Sequence, residues 1–75
     1  MKTYLMRATT LSGHKIWIVA TKGKKLHGHP RESRRAVLKR WVECGGSVEE
    51  VTRFSGVMRS SEAAMTLTKV LKGED

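Results

Sequence analysis

Two runs near the start of the chain, Lys2–Thr9 and His14–Thr21, are rich in Tyr, Thr, Ile, Val and Trp. They flank Thr10-Leu11-Ser12-Gly13, a short polar turn ending in glycine, and together predict a β-hairpin. A four-residue loop pairs Thr9 with His14 and Met6 with Trp17. That register puts Tyr4, Met6, Ala8, Trp17 and Val19 on one face, and Leu5, Arg7, Ile16, Ile18 and Ala20 on the other. Both faces are largely apolar, whereas a hairpin packed on one side alternates apolar with polar. An isolated hairpin is also marginal in water. Cover is therefore expected on both faces: helices on one side, and on the other a partner or a second copy, as a homodimer through the hairpin.

Thr21–His29 reads as a basic connection, because its glycines and lysines disfavour a buried strand and Leu26 alone can anchor it. Pro30 suits the first turn of a helix, where its missing N–H costs nothing. From Arg31 to Cys44 the residues Val37, Leu38, Trp41, Val42 and Cys44 fall on one helical stripe, which Gly45-Gly46 ends. Ser47 with Glu50 three residues on forms a capping box for a short helix, Val48 to Ser55, closed by a left-handed Gly56. Arg59-Ser60-Ser61-Glu62 starts a third helix that runs to Lys72 and buries Ala63, Ala64, Leu67, Val70 and Leu71. The expected organisation is one domain: a hairpin over 1–21, a basic connector over 22–29 and a trihelical unit over 30–72.

With 75 residues and 39% hydrophobic content the chain is one small domain, too apolar for a disordered tail. No apolar run approaches the ~20 residues of a membrane span. Arg7 interrupts the leading segment too early for a signal peptide. The single cysteine, Cys44, has no partner in the chain, which fits a reduced, cytoplasmic or nucleoid-associated setting. His27-x-His29 is the only close pair of metal-type ligands and reads as solvated loop histidines, so no metal or cofactor is expected. No catalytic set is present either. Glu49 and Glu50 are explained by a helix start, and Cys44 at a helix C-terminus meets the wrong end of the dipole for an activated thiolate. No enzyme is expected.

Charge changes the picture most. Residues 1–42 hold eleven Lys/Arg against one acid, Glu32, while residues 43–75 hold four against six, for a net +8. A basic excess this segregated favours a polyanion, of which nucleic acid is the commonest inside cells.

Ser47-Val48-Glu49-Glu50-Val51-Thr52-Arg53-Phe54-Ser55-Gly56-Val57 resembles the first helix and turn of a helix-turn-helix. With Arg31–Cys44 before it and Arg59–Lys72 after it, residues 31–72 resemble the core of small helix-turn-helix DNA-binding proteins. The implied fold is α+β: an N-terminal β-hairpin followed by a three-helix helix-turn-helix-like unit. The implied function is DNA binding by a small accessory or regulatory protein, of a size common in phages and mobile elements. The third helix lacks the usual base-reading groups, and the chain has no Asn or Gln. Lys22, Lys24, Lys25, Arg31, Arg34, Arg35 and Lys39 are therefore the expected phosphate contacts, with Arg59, Ser60, Ser61 and Lys69 as groove candidates. Two other functions fit the same charge. One is an interaction module or inhibitor that docks a basic face on an acidic host protein. The other is an RNA binder that stacks bases on Trp17 and Tyr4.

Overall fold

The first three strands, β1 (Thr3–Thr9), β2 (Lys15–Thr21) and β3 (Lys24–His27), form an antiparallel meander. The computed structural model describes residues 2–53 and 57–73. Helix α1 (Arg34–Glu43) then carries the chain across the sheet to β4 (Val51–Arg53), which pairs in parallel with β1. The short β5 (Met58–Arg59) continues along the same edge of β1, beside Ala8 and Thr9, and leads into α2 (Ser60–Lys72). The sheet order is β3-β2-β1-β4, with one helix packed on each face.

This overturns the expected architecture. Among the described residues there are two helices rather than three, and Val51–Arg53, expected within the short second helix, pairs as a strand instead. The Ser47 hydroxyl accepts from the Glu49 N–H at 3.3 Å, two residues on, which makes a turn and not a helix cap. One residue later the Glu50 carbonyl accepts from the Thr3 N–H, at the start of the β1–β4 ladder. Phe54, Ser55 and the proposed left-handed Gly56 lie outside the described residues. The basic connector is also corrected. Lys24–His27 is an edge strand, turned back from β2 by Lys22-Gly23 with Gly23 at φ +76°.

The hairpin register differs from the expected one by one residue. Its tip is a three-residue loop, Leu11-Ser12-Gly13, closed by a hydrogen bond from the Thr10 N–H to the His14 carbonyl. Gly13 sits at φ +83°, the left-handed position of such a loop. Thr9 therefore pairs with Lys15 and Met6 with Ile18, and every β2 side chain exchanges faces relative to β1. Leu5, Arg7, Trp17 and Val19 share the α1 side, while Tyr4, Met6, Ala8, Ile16, Ile18 and Ala20 share the α2 side.

Both apolar faces of the hairpin are covered by the chain itself. On one side Val37 and Trp41 of α1 close over Leu5 and Val19. On the other, Ala63, Leu67 and Val70 of α2 close over Tyr4, Met6 and Ile18, so a second copy is not what covers that face. Ala64 points outward. Because β1 is buried on both faces, it reads as a near-continuous apolar run.

Helix α1 begins three residues later than the sequence predicts. Ser33 is the cap, its hydroxyl accepting from the Ala36 N–H at 3.2 Å. Pro30 and Arg31 belong to a turn held by Glu32, whose carboxylate accepts from the His29 N–H at 2.6 Å and pairs with Arg40 at 3.2 Å. The helix ends in a Schellman motif. Gly45 N–H bonds to the Val42 carbonyl and Gly46 N–H to the Trp41 carbonyl, with Gly45 at φ +90°. Gly46 is glycine for a different reason: a Cβ there would stand 2.2 Å from the Trp41 indole.

Candidate nucleic-acid interface

The stripe read on α1 is wider than the surface it buries. Val37 and Trp41 are inside, Leu38 is half-buried, and Val42 is 48% exposed. Leu38 and Val42, with Val48 from the following loop, form the floor of an open groove of about 450 Å³ between α1 and β4. Its rim is basic: Arg34, Arg35 and Lys39 from α1, and Arg53 from β4. Among the described residues no acid lines it. Helical spacing brings 34, 35, 38, 39 and 42 to one side, and the β4 ladder turns Arg53 to the same side as its neighbour Leu5.

The sheet extends this basic surface beyond the helix. On the α1 side, burial falls along β1 from Leu5 to half-buried Arg7 and Thr9, and along β2 from Val19 to half-buried Trp17 and exposed Lys15. Arg7 lies over the Trp17 ring, 4.7 Å from its centroid. Arg59 pairs beside Thr9 and is exposed.

The sequence-derived contacts divide between surfaces. Arg34, Arg35 and Lys39 come together at the groove. Exposed Arg31 precedes α1 in the turn, where its N–H donates to His29 Nδ1 at 3.3 Å. Arg59, Ser60 and Ser61 meet Thr10 and Leu11 at the hairpin tip. Lys24 turns inward: its ammonium lies 4.9 Å from the Trp41 ring centroid and donates to the Cys44 carbonyl. Lys22 lies beside Gly73 at the end of α2, and Lys69 is exposed in that helix's last turn. Lys25 faces the α2 side, where it lines a cavity of about 380 Å³ with His27, Ile18 and Leu67. Tyr4 is buried on the α2 side, so it shares no stacking surface with Trp17. Sequence reasoning missed Arg53, which it placed within a helix, and did not place Arg7 and Lys15 in the site. The β-branched pair Val51-Thr52 was the available sign of a strand there.

His27 is held below its usual pKa, first by partial burial and then by the Lys25 charge. A histidine whose folded pKa is depressed disfavours folding once it must ionise. Stability is therefore expected to be full above the unfolded value near 6.5 and to fall as pH drops through it. Melting temperatures at pH 7.5 and 5.5 check this, and His27→Gln is expected to reduce the difference.

Comparison with protein families, characterised proteins and solved structures finds no match to this chain. Among the described residues no helix is long and apolar enough to cross a membrane, and no group of three His, Cys, Asp or Glu is placed to hold a metal.

Proposed function

We propose that the protein is a nucleic-acid-binding accessory or regulatory protein that holds the phosphate backbone on the α1 side of its sheet, in an intracellular setting. The observation that carries this is the convergence of Arg34, Arg35, Lys39 and Arg53 around one groove without an acid among the lining residues. Like charges so placed repel one another and gain most from a polyanion that neutralises several at once. Among the described residues none of the acids of the second half lines that groove: Glu43 ends α1, Glu49 and Glu50 precede β4, and Glu62 lies in the first turn of α2. Without Asn or Gln, and with no helix-turn-helix unit among the described residues to enter a groove, such binding positions the protein on backbone rather than reading sequence.

The apolar floor favours a second reading, an acidic amphipathic segment of a host protein seated on Leu38, Val42 and Val48. Val42→Lys with Val48→Lys separates the two. Added cations strengthen phosphate binding and steepen its salt dependence, whereas they remove the apolar anchors of a docked protein segment. Titrating labelled oligonucleotide at several salt concentrations is the experiment. Tighter binding by the double variant supports the nucleic-acid reading. Absence of oligonucleotide binding by the unaltered protein overturns it.

A further inference from the structure

Beyond α1 the sheet offers a surface that adjoins the groove and shares Arg53 with it. Its α1 side carries Trp17, half-buried, with the Arg7 guanidinium over the ring at 4.7 Å. Lys15 lies on the same side, two residues along β2, and Arg59 lies there next to Thr9 on β5. Every charged side chain that the strands β1, β2, β4 and β5 place on this side is basic: Arg7, Lys15, Arg53 and Arg59. We propose that this uncovered part of the sheet is a stacking platform for single-stranded nucleic acid, with an unpaired base received on Trp17 and Arg7 and the flanking phosphates held by Lys15, Arg53 and Arg59. The proposal rests on the phosphate-binding reading above and narrows it to one substrate class.

Three features carry the choice of single strand over duplex. First, an indole set within a pleated surface cannot reach a base edge inside a stack, but a splayed-out base can lie on it, and stacking on an aromatic or a guanidinium plane is sequence-tolerant. Second, the hairpin is not free to enter a duplex as a two-stranded ribbon. α2 covers its other face and β5 flanks it, so three strands backed by a helix about 10 Å thick confront a major groove about 12 Å wide. Third, the Arg7–Trp17 pair is formed across the strand register, Arg7 opposite Trp17, so the stacking surface is positioned by the backbone ladder before any ligand arrives.

The two tryptophans make the test direct, because Trp41 is 1% exposed and Trp17 is the one a ligand can reach. The probes are a twelve-nucleotide oligo(dT), the matching oligo(U) and a twelve-base-pair DNA duplex, read by intrinsic fluorescence and by anisotropy at one salt concentration. Oligo(dT) or oligo(U) is expected to quench the fluorescence and to bind more tightly than the duplex. Whichever binds better identifies DNA or RNA as the source of the strand. Trp17→Leu keeps apolar bulk at the edge of the core and is expected to lose about tenfold in single-strand affinity, the scale of one base stack, with little change toward duplex. Arg7→Gln, which leaves the indole in place as reporter, is expected to weaken single-strand binding and quenching in the same direction, and it decides the matter if Trp17→Leu does not fold. Duplex bound more tightly than either single strand, without quenching, overturns the platform and leaves the phosphate-binding reading standing. Unchanged single-strand affinity in the folded variants does the same. No binding to any of the three probes overturns both.

Discussion

Trp41→Ala is expected to leave the protein without a cooperative fold at 25 °C. The indole is the largest side chain in the interior and closes the α1 side of the core over Leu5, Val19 and Val37. Its Nε1–H donates to the Ser47 carbonyl at 3.2 Å, which ties down the loop leading to β4. Lys24 rests on the outer face of the ring and Gly46 packs against its edge, so the site cannot collapse without moving β3 or the α1 terminus. Truncating a buried Trp to Ala costs about 3–5 kcal/mol. A core of this size supplies no more than about 3–5 kcal/mol of net stability, so the two terms cancel. Near-ultraviolet circular dichroism and urea titration check the result. A sharp urea transition with a midpoint close to that of the unaltered protein would show that the indole does not hold the core. Lys24→Met keeps the packing of the alkyl chain while losing the cation contact with the ring and the hydrogen bond to the Cys44 carbonyl, and is expected to lower the midpoint far less than Trp41→Ala.

The same residue shows what the sequence could and could not convey. A tryptophan at the centre of an apolar stripe is legible as core, and α1 and α2 follow from stripes of this kind with Gly45 and Gly73 just past their ends, whereas the Ser33 cap was passed over for Pro30. Lys24 was not legible as its cover. It stands among lysines and glycines that look like a solvated connector, and only the β2–β3 pairing brings it over the indole. The β4 segment failed for a related reason. A strand of three residues has too few positions to show a period, and its partner β1 lies at the far end of the chain, whereas Ser47-x-x-Glu50 offers a local helix start that the long-range ladder overrides. The twofold apolar character of the hairpin was legible and its meaning was not. It reflects a sheet covered on both faces, and α2 supplies the second cover because the chain returns to β1 before that helix begins.

The candidate site divides along the same line. Arg34, Arg35 and Lys39 can be grouped from helical spacing alone, because residues on one side of a helix are local neighbours. Arg53 joins them only through the parallel pairing of β4, and Arg7, Lys15 and Arg59 join one sheet face only when the register is fixed to the residue. A slip of one position, as the sequence reading made on β2, sends Trp17 to the wrong side and pairs it with buried Tyr4 as a stacking surface.

Replacing Arg34, Arg35, Lys39 and Arg53 together by alanine is expected to abolish measurable oligonucleotide binding at physiological salt. Each lost phosphate contact removes about 0.7 from the salt slope on a single strand and about 0.9 on duplex, so four lower it by about 3. The four side chains are exposed, and among the described residues none of them makes a side-chain hydrogen bond or ion pair, so the variant is expected to remain folded by circular dichroism. Lys24 is left in place because it holds Trp41, and its removal would mix instability with lost affinity. The matched control is Lys69→Ala with Lys72→Ala, in the last turn of α2 on the opposite layer, which is expected to change affinity less than about threefold because screening limits distant charges. The comparison turns on position rather than on total charge, since general attraction to a cationic protein would weaken in proportion to the charge removed from either face. Binding that survives the groove variant, or that falls by the same fraction per lost cation in the control, places the anion elsewhere and removes the groove between α1 and β4 as its seat.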